Sequence, residues 1–430
     1  MNKFHVWTTG CQMNKADSER LEDALRQLGL SRTLDRKEAD VVVLNTCVVR
    51  KNAEDKAVGT LTSIKPDKEL HPEKILAVMG CMVGPKTDAL EKQFPYVDVF
   101  MPPQQYDPLL DLVSRRMGVD REGCIGPLTA TPNVSTFIPI IHGCDKFCSF
   151  CIIPYRRGRE NSRPIKEIVE ETSSLVQRGV KEVTLLGQNV DSYGHDLSND
   201  INLADLLYAV NKVEGLQRIR FLTSHPNDMD ESIIDAVNSL DKVCEHINLP
   251  FQSGDDKVLK QMRRGYTNKE YRELVYKIRD RIPGVTLSTD LIVGFCGETN
   301  SQFANTLNLI KDIRFDKIHS AAYSVRSGTI AHRQYSDDVP DDVKKDRLKT
   351  IDSEQQTILS EINSKLMGET QEILVEGKKK GRWFGRNRND KLVFFDDEKC
   401  KPGDMVDIEI NETSPWFLQG SPVTSSLSTK

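Results

Sequence analysis

Cys144, Cys148 and Cys151 stand as C-x3-C-x2-C in the stretch His142-Gly143-Cys144-Asp145-Lys146-Phe147-Cys148-Ser149-Phe150-Cys151. Three thiolates this close can hold one face of a cubic iron–sulfur cluster, and they leave the fourth iron without a protein ligand. An open iron is a place for a substrate or cofactor to coordinate, so the spacing points to chemistry rather than to a structural staple. Structural zinc asks for four ligands, usually two C-x2-C pairs or a Cys/His mixture. Here there is one triplet, and His142 sits awkwardly just ahead of the loop. A disulfide knot needs an even local count and an oxidising compartment. On spacing alone, zinc and inert thiols stay open beside the cluster.

Phe150, one place before the third cysteine, sharpens the reading. A C-x3-C-x-aromatic-C loop resembles the signature of the radical S-adenosylmethionine (SAM) superfamily.

Composition bounds what surrounds the loop. The 430 residues allow two or three domains and a sizeable core without disulfides. Hydrophobic content of 38% and charged content of 29% describe an ordinary globular chain. Apolar runs stop well short of the roughly 18 residues of a membrane helix. The segment Met1–Trp7 reads as a strand rather than a signal core. Ten cysteines without an export signal suggest metal ligation in a reducing cytoplasm. A net charge of −5 gives no global pull toward nucleic acid, so any such partner must meet a local basic patch.

An α/β chain is expected. Up to about residue 118, short apolar runs alternate with helical patterns, with strands at Phe4–Thr8, Val41–Asn45, Ile75–Met79 and Val97–Met101. A helix is expected over Ser18–Leu28, with Ser18 as N-cap and Gly29 as C-cap. Such alternation implies an open parallel sheet covered by helices. Cys11, Cys47 and Cys81 each follow one of the first three strands, two of them directly after glycine. Ligands bind at the carboxyl edge of such sheets. The three thiols would converge there as a second three-cysteine site, or be buried thiols of the common kind.

From about 130 to 340, six βα units follow: strands at Phe137–Ile141, Val183–Leu186, Arg218–Leu222, His246–Leu249, Thr286–Ile292 and Lys317–Tyr323, with amphipathic helices such as Ile165–Gln177 and Lys269–Arg281. They predict a partial (βα)6 barrel whose site lies at the carboxyl ends of the strands. Gly187, Gln188, Asn189, Ser224, His225, Gln252, Ser253, Asp290 and Gly294 occupy those positions. His225 taken alone reads first as a hydrogen-bonded structural histidine, with ligand contact as the other reading. A long polar helix, Asp341–Met367, packs on the barrel or links onward. Five short strands then run from Gln371 to Gly420, a small antiparallel β-barrel of the type that binds oligonucleotides. Its first turn carries Lys378, Lys379, Lys380, Arg382, Arg386 and Arg388 interleaved with Trp383 and Phe384. That suits phosphate contacts with base stacking, against a plain solvated basic turn. The tail Thr424–Lys430 reads as disordered.

With these parts in place, nearly the whole chain resembles the methylthiotransferase family, most closely its tRNA-modifying MiaB type. The motifs that carry the likeness are Gly10-Cys11-Gln12-Met13-Asn14, Asn45-Thr46-Cys47-Val48-Val49-Arg50, Leu185–Gly194, Thr223-Ser224-His225-Pro226 and Ser288–Phe295. Cys296 stands where that family usually has proline, and Val325, Ser327 and Ile330 replace further prolines, which restores backbone freedom to those turns. Cys124, Cys244, Cys296 and Cys400 fit neither triplet.

The resemblance implies three domains: residues 1–118 with an auxiliary cluster, 130–358 as radical SAM core, and 363–426 as an RNA-binding TRAM domain. It implies two [4Fe-4S] clusters, on Cys144, Cys148 and Cys151 and on Cys11, Cys47 and Cys81. SAM would serve as radical source and methyl donor, and Phe150, Gly187, Gln188, Ser224, His225 and Asp290 would surround it. Arg156, Arg157 and Arg159 would meet phosphates or SAM, or be a solvated run. The implied reaction adds a methylthio group to carbon 2 of N6-isopentenyladenosine next to the tRNA anticodon. The base must leave its stack to be reached. No side chain is singled out as catalytic, since the cofactors carry the chemistry. A flavodoxin-like or ferredoxin-like electron donor and a sulfur source are implied partners of a cytoplasmic monomer. Two other readings are methylthiolation of a ribosomal protein and a non-catalytic iron–sulfur carrier or RNA-binding sensor.

Overall fold

The computed structural model describes residues 1–48, 51–119, 133–198 and 200–423. Val49, Arg50, Cys124 and the tail from Thr424 lie outside the described residues. The first unit is a sheet of β1 (Lys3–Thr8), β2 (Ser31–Arg32), β3 (Val41–Thr46), β4 (Ile75–Gly80) and β5 (Val99–Met101), all parallel, in the order β2-β1-β3-β4-β5. The helices α1 (Gln12–Gln27), α2 (Lys51–Leu70), α3 (Asp88–Gln93) and α4 (Asp107–Met117) follow its strands. Strands buried on both faces need apolar residues throughout. In β3, Val41 and Val43 pack with Leu21, Leu25 and Val113 on one side, while Val42 and Leu44 pack with Leu61 and Ile64 on the other.

α1 begins six residues before the expected Ser18, with Cys11 as its N-cap. Ser18 lies inside the helix, where its hydroxyl meets Thr8 Oγ1 at 2.7 Å and accepts from Asn45 Nδ2 at 2.9 Å. A serine side chain caps or tethers with the same chemistry, and here it tethers the helix to two strands. Gly29 stands just past the C-cap Leu28 at φ +91°, in the left-handed conformation that glycine tolerates.

The second unit starts at β6 (Ser135–Pro139), with a small antiparallel pair β7 (Ile141–His142) and β8 (Asn161–Ser162) enclosing the cysteine loop and α5 (Ile153–Arg157). Five more parallel strands follow: β9 (Glu182–Leu186), β10 (Arg218–Leu222), β11 (His246–Asn248), β12 (Thr286–Val293) and β13 (Lys317–Ala322). They form sheets β10-β9-β6 and β11-β12-β13, joined by a parallel bridge between Ile219 and Val243. The result is the open six-stranded barrel expected. α6 (Ile165–Gln177), α7 (Leu203–Asn211), α8 (Glu231–Ser239), α9 (Asp256–Gln261), α10 (Asn268–Arg281) and α11 (Asn300–Ile313) are the crossover helices, and α12 (Ile330–Gln334) follows β13. The long polar helix is α13 (Asp341–Ser364), and it packs on the barrel: Ile351 and Ile358 join the barrel core, and Arg347 Nη1 donates to Glu298 Oε2 at 2.7 Å.

The last unit is a closed barrel, β14 (Thr370–Lys379), β15 (Arg382–Arg386), β16 (Leu392–Phe395), β17 (Met405–Thr413) and β18 (Leu418–Pro422), in the order β14-β15-β16-β18-β17. An antiparallel barrel is the expectation, and the β16–β18 pair departs from it by being parallel. Five strands cannot alternate direction around a closed ring, so one pair must run the same way. This barrel docks on the amino-terminal ends of the central strands. Arg218, almost wholly buried, donates to Arg386 O and Glu372 O, and Arg220 donates to Asn387 O and Arg388 O. Asn389 and Lys391 reach Glu245 O and Asp316 Oδ1.

Candidate functional site

The central order β1-β3-β4 sets the carboxyl ends of three neighbouring strands side by side, and Cys11, Cys47 and Cys81 follow them. The glycines make the approach possible. A Cβ on Gly10 (φ +122°) would lie 2.7 Å from Cys47 Cβ, and one on Gly80 (φ +93°) would lie 2.4 Å from Asn45 Oδ1 and Thr46 O. Asn14 Nδ2 donates to Thr9 O and Thr46 O, and Asn45 Nδ2 donates to Asn14 O, so two asparagine side chains lace the strand ends together. Burial pushes the Cys81 thiol up to about 11, with Arg157 pulling against it and the neighbouring Cys11 and Cys47 adding to it. Cys81 thus lies within electrostatic reach of both Cys11 and Cys47.

The second triplet is held from below by α9 and from the side by α12. Ser149 donates from its backbone to Met262 O at 3.0 Å and from its hydroxyl to Gln261 O at 2.7 Å, while Ala331 N donates to Ser149 O at 2.7 Å. Cys144 and Cys151 are pushed upward chiefly by burial, Cys144 to about 11, and all three thiols lie within electrostatic reach of one another. Arg264 is fully enclosed and donates from Nη1 to Cys148 Sγ at 3.3 Å and from Nη2 to Pro250 O.

The sheet unit closes over the carboxyl rim of the central barrel. Met13 and Ala16 pack on Leu186 and Leu222. Arg20 pairs with Glu171 and Arg326 with Glu54 at 2.9 Å, and His142 meets Gln104. Burial, with Arg20, Arg157 and Arg163 nearby, lowers His142 to about 3. Cys81, Ile152 and Ile153 share one buried cluster, with Cys144 and Cys151 packed against it. α5 spans the gap: it starts two residues past Cys151, and Arg157 at its end donates to Asn14 Oδ1 at 3.1 Å and Asp17 Oδ2 at 3.0 Å.

The strand-end residues divide into two sets. Ser224 Oγ donates to Asp191 Oδ1 and His225 N to Asp191 Oδ2, both at 2.9 Å. His225 Nε2 has no hydrogen-bond partner among the described residues, and burial together with Arg264 and Lys146 lowers the ring to about 2. A neutral, unpartnered imidazole edge of this kind sits near the cysteine loop, since Lys146 also pairs with Asp228 at 2.6 Å. Asp228 accepts from Asn189. Asp290 accepts from Asn248 Nδ2 at 3.2 Å and is partly open. Gly187 is buried under Ile141, and Gln188 is half-buried at the same rim. Phe150 packs beside Phe295, Cys296 and Tyr323.

The basic segment splits likewise. Lys378, Lys379 and Lys380 are exposed around the β14–β15 turn. Lys378 Nζ lies 4.3 Å from the Trp383 ring centre. Trp383 is buried, with Nε1 donating to Asp397 O, so its face is not open for stacking. Arg382 pairs with Asp396, Arg386 with Glu376 and Asp390, and Arg388 grips Glu245 and the carbonyls of Asp241 and Val243 at the docking face. Phe384, cross-strand to Phe394, and Phe417, edge-on to Phe394 at 5.6 Å, are half-buried, and Trp416 is exposed beside Phe417 in sequence. Sequence reasoning singled out Phe384 but missed Phe394 and Phe417. Alternation from the buried Trp383 was the available signal. It also missed Asp17, Asp191, Asp228 and Arg264 as parts of the site, because each acts through a partner distant in sequence.

Comparison with known proteins bears on this arrangement. Residues 3–102 match Uncharacterized protein family UPF0004, 138–310 the Radical SAM superfamily and 365–423 the TRAM domain. The chain is 46% identical over 424 residues to the tRNA-2-methylthio-N(6)-dimethylallyladenosine synthase of Dehalococcoides mccartyi, covering 98% of this chain and 99% of the relative. It is 45% identical to the synthase of the same description from Herpetosiphon aurantiacus, over 99% and 98% of the two chains. The chain belongs to the tRNA-2-methylthio-N(6)-dimethylallyladenosine synthase family. Members of this family are radical SAM enzymes, and neither the ribosomal-protein reading nor the non-catalytic one is favoured by the membership. Among solved structures, the radical SAM methyltransferase TsrM from Kitasatospora setae shares the fold at a TM-score of 0.55 and 15% identity, covering 75% of this chain and 73% of that one. No described helix is long and apolar enough to cross a membrane.

Proposed function

We propose that this family member installs a methylthio group on carbon 2 of N6-isopentenyladenosine beside the tRNA anticodon. The observation that carries the reading is the meeting of two cysteine triplets across one interface, with α5 between them. We take residues 1–118, 130–358 and 363–426 as its three domains.

The donor sets fit the cofactors. Each triplet supplies thiols within electrostatic reach of one another, with Cys47, Cys81 and Cys148 buried and Cys11 at the open edge, and burial raises Cys81, Cys144 and Cys151, which a bound cationic centre would offset. Unpartnered buried polar atoms are found on two neighbouring side chains: Arg157 Nε and Nη1, on a residue within reach of Cys81, and His225 Nε2. Cys144, Cys148 and Cys151 would hold one [4Fe-4S] cluster, and Cys11, Cys47 and Cys81 the other. When bound, the clusters and SAM supply the reducing electron, the radical, the sulfur and the methyl group. The chain's own residues bind and orient. Gly187, Gln188, Ser224, His225, Asp290 and Phe150 line or support the rim where SAM would sit. Asp191 keeps Ser224 and His225 in place. The sheet unit covers the rim and excludes water. Lys378, Lys379 and Lys380 hold phosphates of the anticodon arm, with Phe384 a stacking surface; Arg382, Arg386 and Trp383 support that face, and Arg388 anchors it. A flavodoxin-like or ferredoxin-like donor, a separate sulfur source, a cytoplasmic setting and a monomeric state complete the proposal.

The test is anaerobic reconstitution with iron and sulfide, followed by SAM, dithionite and isopentenylated tRNA. Mass spectrometry of the digested RNA should show a methylthio adenosine. Cleaved SAM with unmodified tRNA would move the proposal to another substrate, and a zinc-loaded or single-cluster protein would overturn the cysteine assignment.

A further inference from the structure

Arg157 belongs to the central unit in sequence and to the sheet unit in space. It lies six residues past Cys151, at the end of α5, and its side chain is 2% exposed. Nη2 is spent on Asn14 Oδ1 and Asp17 Oδ2. The Asp17 side chain is 1% exposed. The guanidinium also lies against the Cys81 thiol and within electrostatic reach of Cys11. Two of its donors, Nε and Nη1, have no hydrogen-bond partner among the described residues. Buried guanidinium donors are seldom left unused, because an unmade bond to a charged group costs free energy. Asp17 adds an orphan of its own in Oδ1.

Arg156 packs on Gly84 of the loop after Cys81, and its Nε is also buried without a hydrogen-bond partner among the described residues. Arg159 lies over the Phe147 ring and pairs with Asp145 near the surface. Of the three arginines after the cysteine loop, Arg157 is the one that bonds Asn14 and Asp17, beside Cys11.

We infer that Arg157 is a positioning residue shared by both cysteine sites: its free N–H donors serve sulfur held at the Cys11, Cys47 and Cys81 site, while α5 fixes that site's distance from the Cys144, Cys148 and Cys151 loop. The inference rests on the proposed assignment of the two triplets. Its chemical logic is that hydrogen bonds and positive charge at cluster sulfurs favour the reduced form and raise the reduction potential. A rigid planar fork suits several acceptors at once, which lysine cannot match.

The experiment compares Arg157→Gln and Arg157→Lys with the parent protein, each also in a background with Cys144, Cys148 and Cys151 replaced by alanine. The parent triple variant is the reference for folding and for loading of the remaining site. Expected is full iron loading in the variants and a potentiometric EPR midpoint shifted to more negative values in Arg157→Gln. Arg157→Lys should recover part of that shift. In the two-site protein, Arg157→Gln should cleave SAM at the parent rate while methylthio product falls about tenfold, an uncoupling of the two sites. An unchanged midpoint and EPR spectrum in loaded Arg157→Gln would overturn the inference, as would equal loss of SAM cleavage and product. If Arg157→Gln fails to load, Asp17→Asn, which leaves the arginine in place, should shift the midpoint less than Arg157→Lys; an equal or larger shift overturns it. Failure of the function itself would appear separately, as a parent protein with two clusters and no tRNA product.

Discussion

Ser224 Oγ and His225 N donate to the two oxygens of Asp191, each at 2.9 Å, so one buried carboxyl fixes the turn after β10. Burial raises that carboxyl to about 8, and the two donors pull only partly against it. In the unfolded chain it titrates near about 4. The folded state therefore keeps a proton that the unfolded state releases between those values. Stability from this group is fully present below about pH 4 and is lost as pH rises through about 8. Asp191→Asn should flatten this dependence: between about pH 5 and 8 the melting temperature of the parent should fall relative to the variant. Parallel curves would mean that the carboxyl is ionised throughout and held by Ser224 and His225.

Gly80→Ala is expected to strip one site selectively. Its Cβ would meet Asn45 Oδ1 and Thr46 O at 2.4 Å, in a backbone conformation that L-residues rarely adopt. Cys81, the next residue, must then shift out of register with Cys11 and Cys47. Iron content should fall by about half, from roughly eight per chain, with SAM cleavage retained. Retained full loading would show that the strand end has slack.

Much of this was legible in the chain. Strands β3, β4, β10 and β12 lie within a residue or two of their expected bounds: β3 and β4 are continuous apolar runs, and β10 and β12 carry polar residues between apolar ones that pack in the barrel core. The convergence of Cys11, Cys47 and Cys81 followed from placing each after a parallel strand. Ser18 misled because a serine ahead of an apolar stretch reads as a cap, and nothing local reveals that Asn45 and Thr8 claim it. Arg388 misled for a related reason. Its charge suggested phosphate, but its partner Glu245 lies far away in sequence.

Replacing Lys378, Lys379 and Lys380 together by glutamine should weaken tRNA binding and reduce its salt dependence. Each lost phosphate contact lowers the slope of log K against log salt by about 0.7–0.9. Filter binding across a salt series reads it directly. An unaltered slope would take these lysines out of the RNA contact.

The aromatic face separates from the basic turn. Phe384→Ala and Phe394→Ala should each cost about 1–3 kcal/mol of RNA affinity if bases stack there. Trp383→Phe should leave affinity alone and cost about 1 kcal/mol of stability through the lost bond to Asp397 O. Equal affinity in the parent and both Phe→Ala variants would place the bases elsewhere.

Arg388→Ala should behave as a docking variant. Losing the paired contacts to Glu245 and the carbonyls of Asp241 and Val243 should cost roughly 1.5–3 kcal/mol. Calorimetry should show the carboxyl-terminal barrel melting separately, with SAM cleavage preserved. A single unchanged transition would mean that Arg218 and Arg220 suffice to hold the barrel.

The carboxyl-terminal barrel is seated on the amino-terminal ends of the central strands, whereas both cysteine triplets lie at their carboxyl ends. An RNA gripped by the first and worked on at the second has to run the height of the central barrel. On the proposed reading, the height of the central barrel then acts as a caliper for the span between the held stem and the reactive base. A hairpin with the right nucleotide on too short an arm can then be held without being changed.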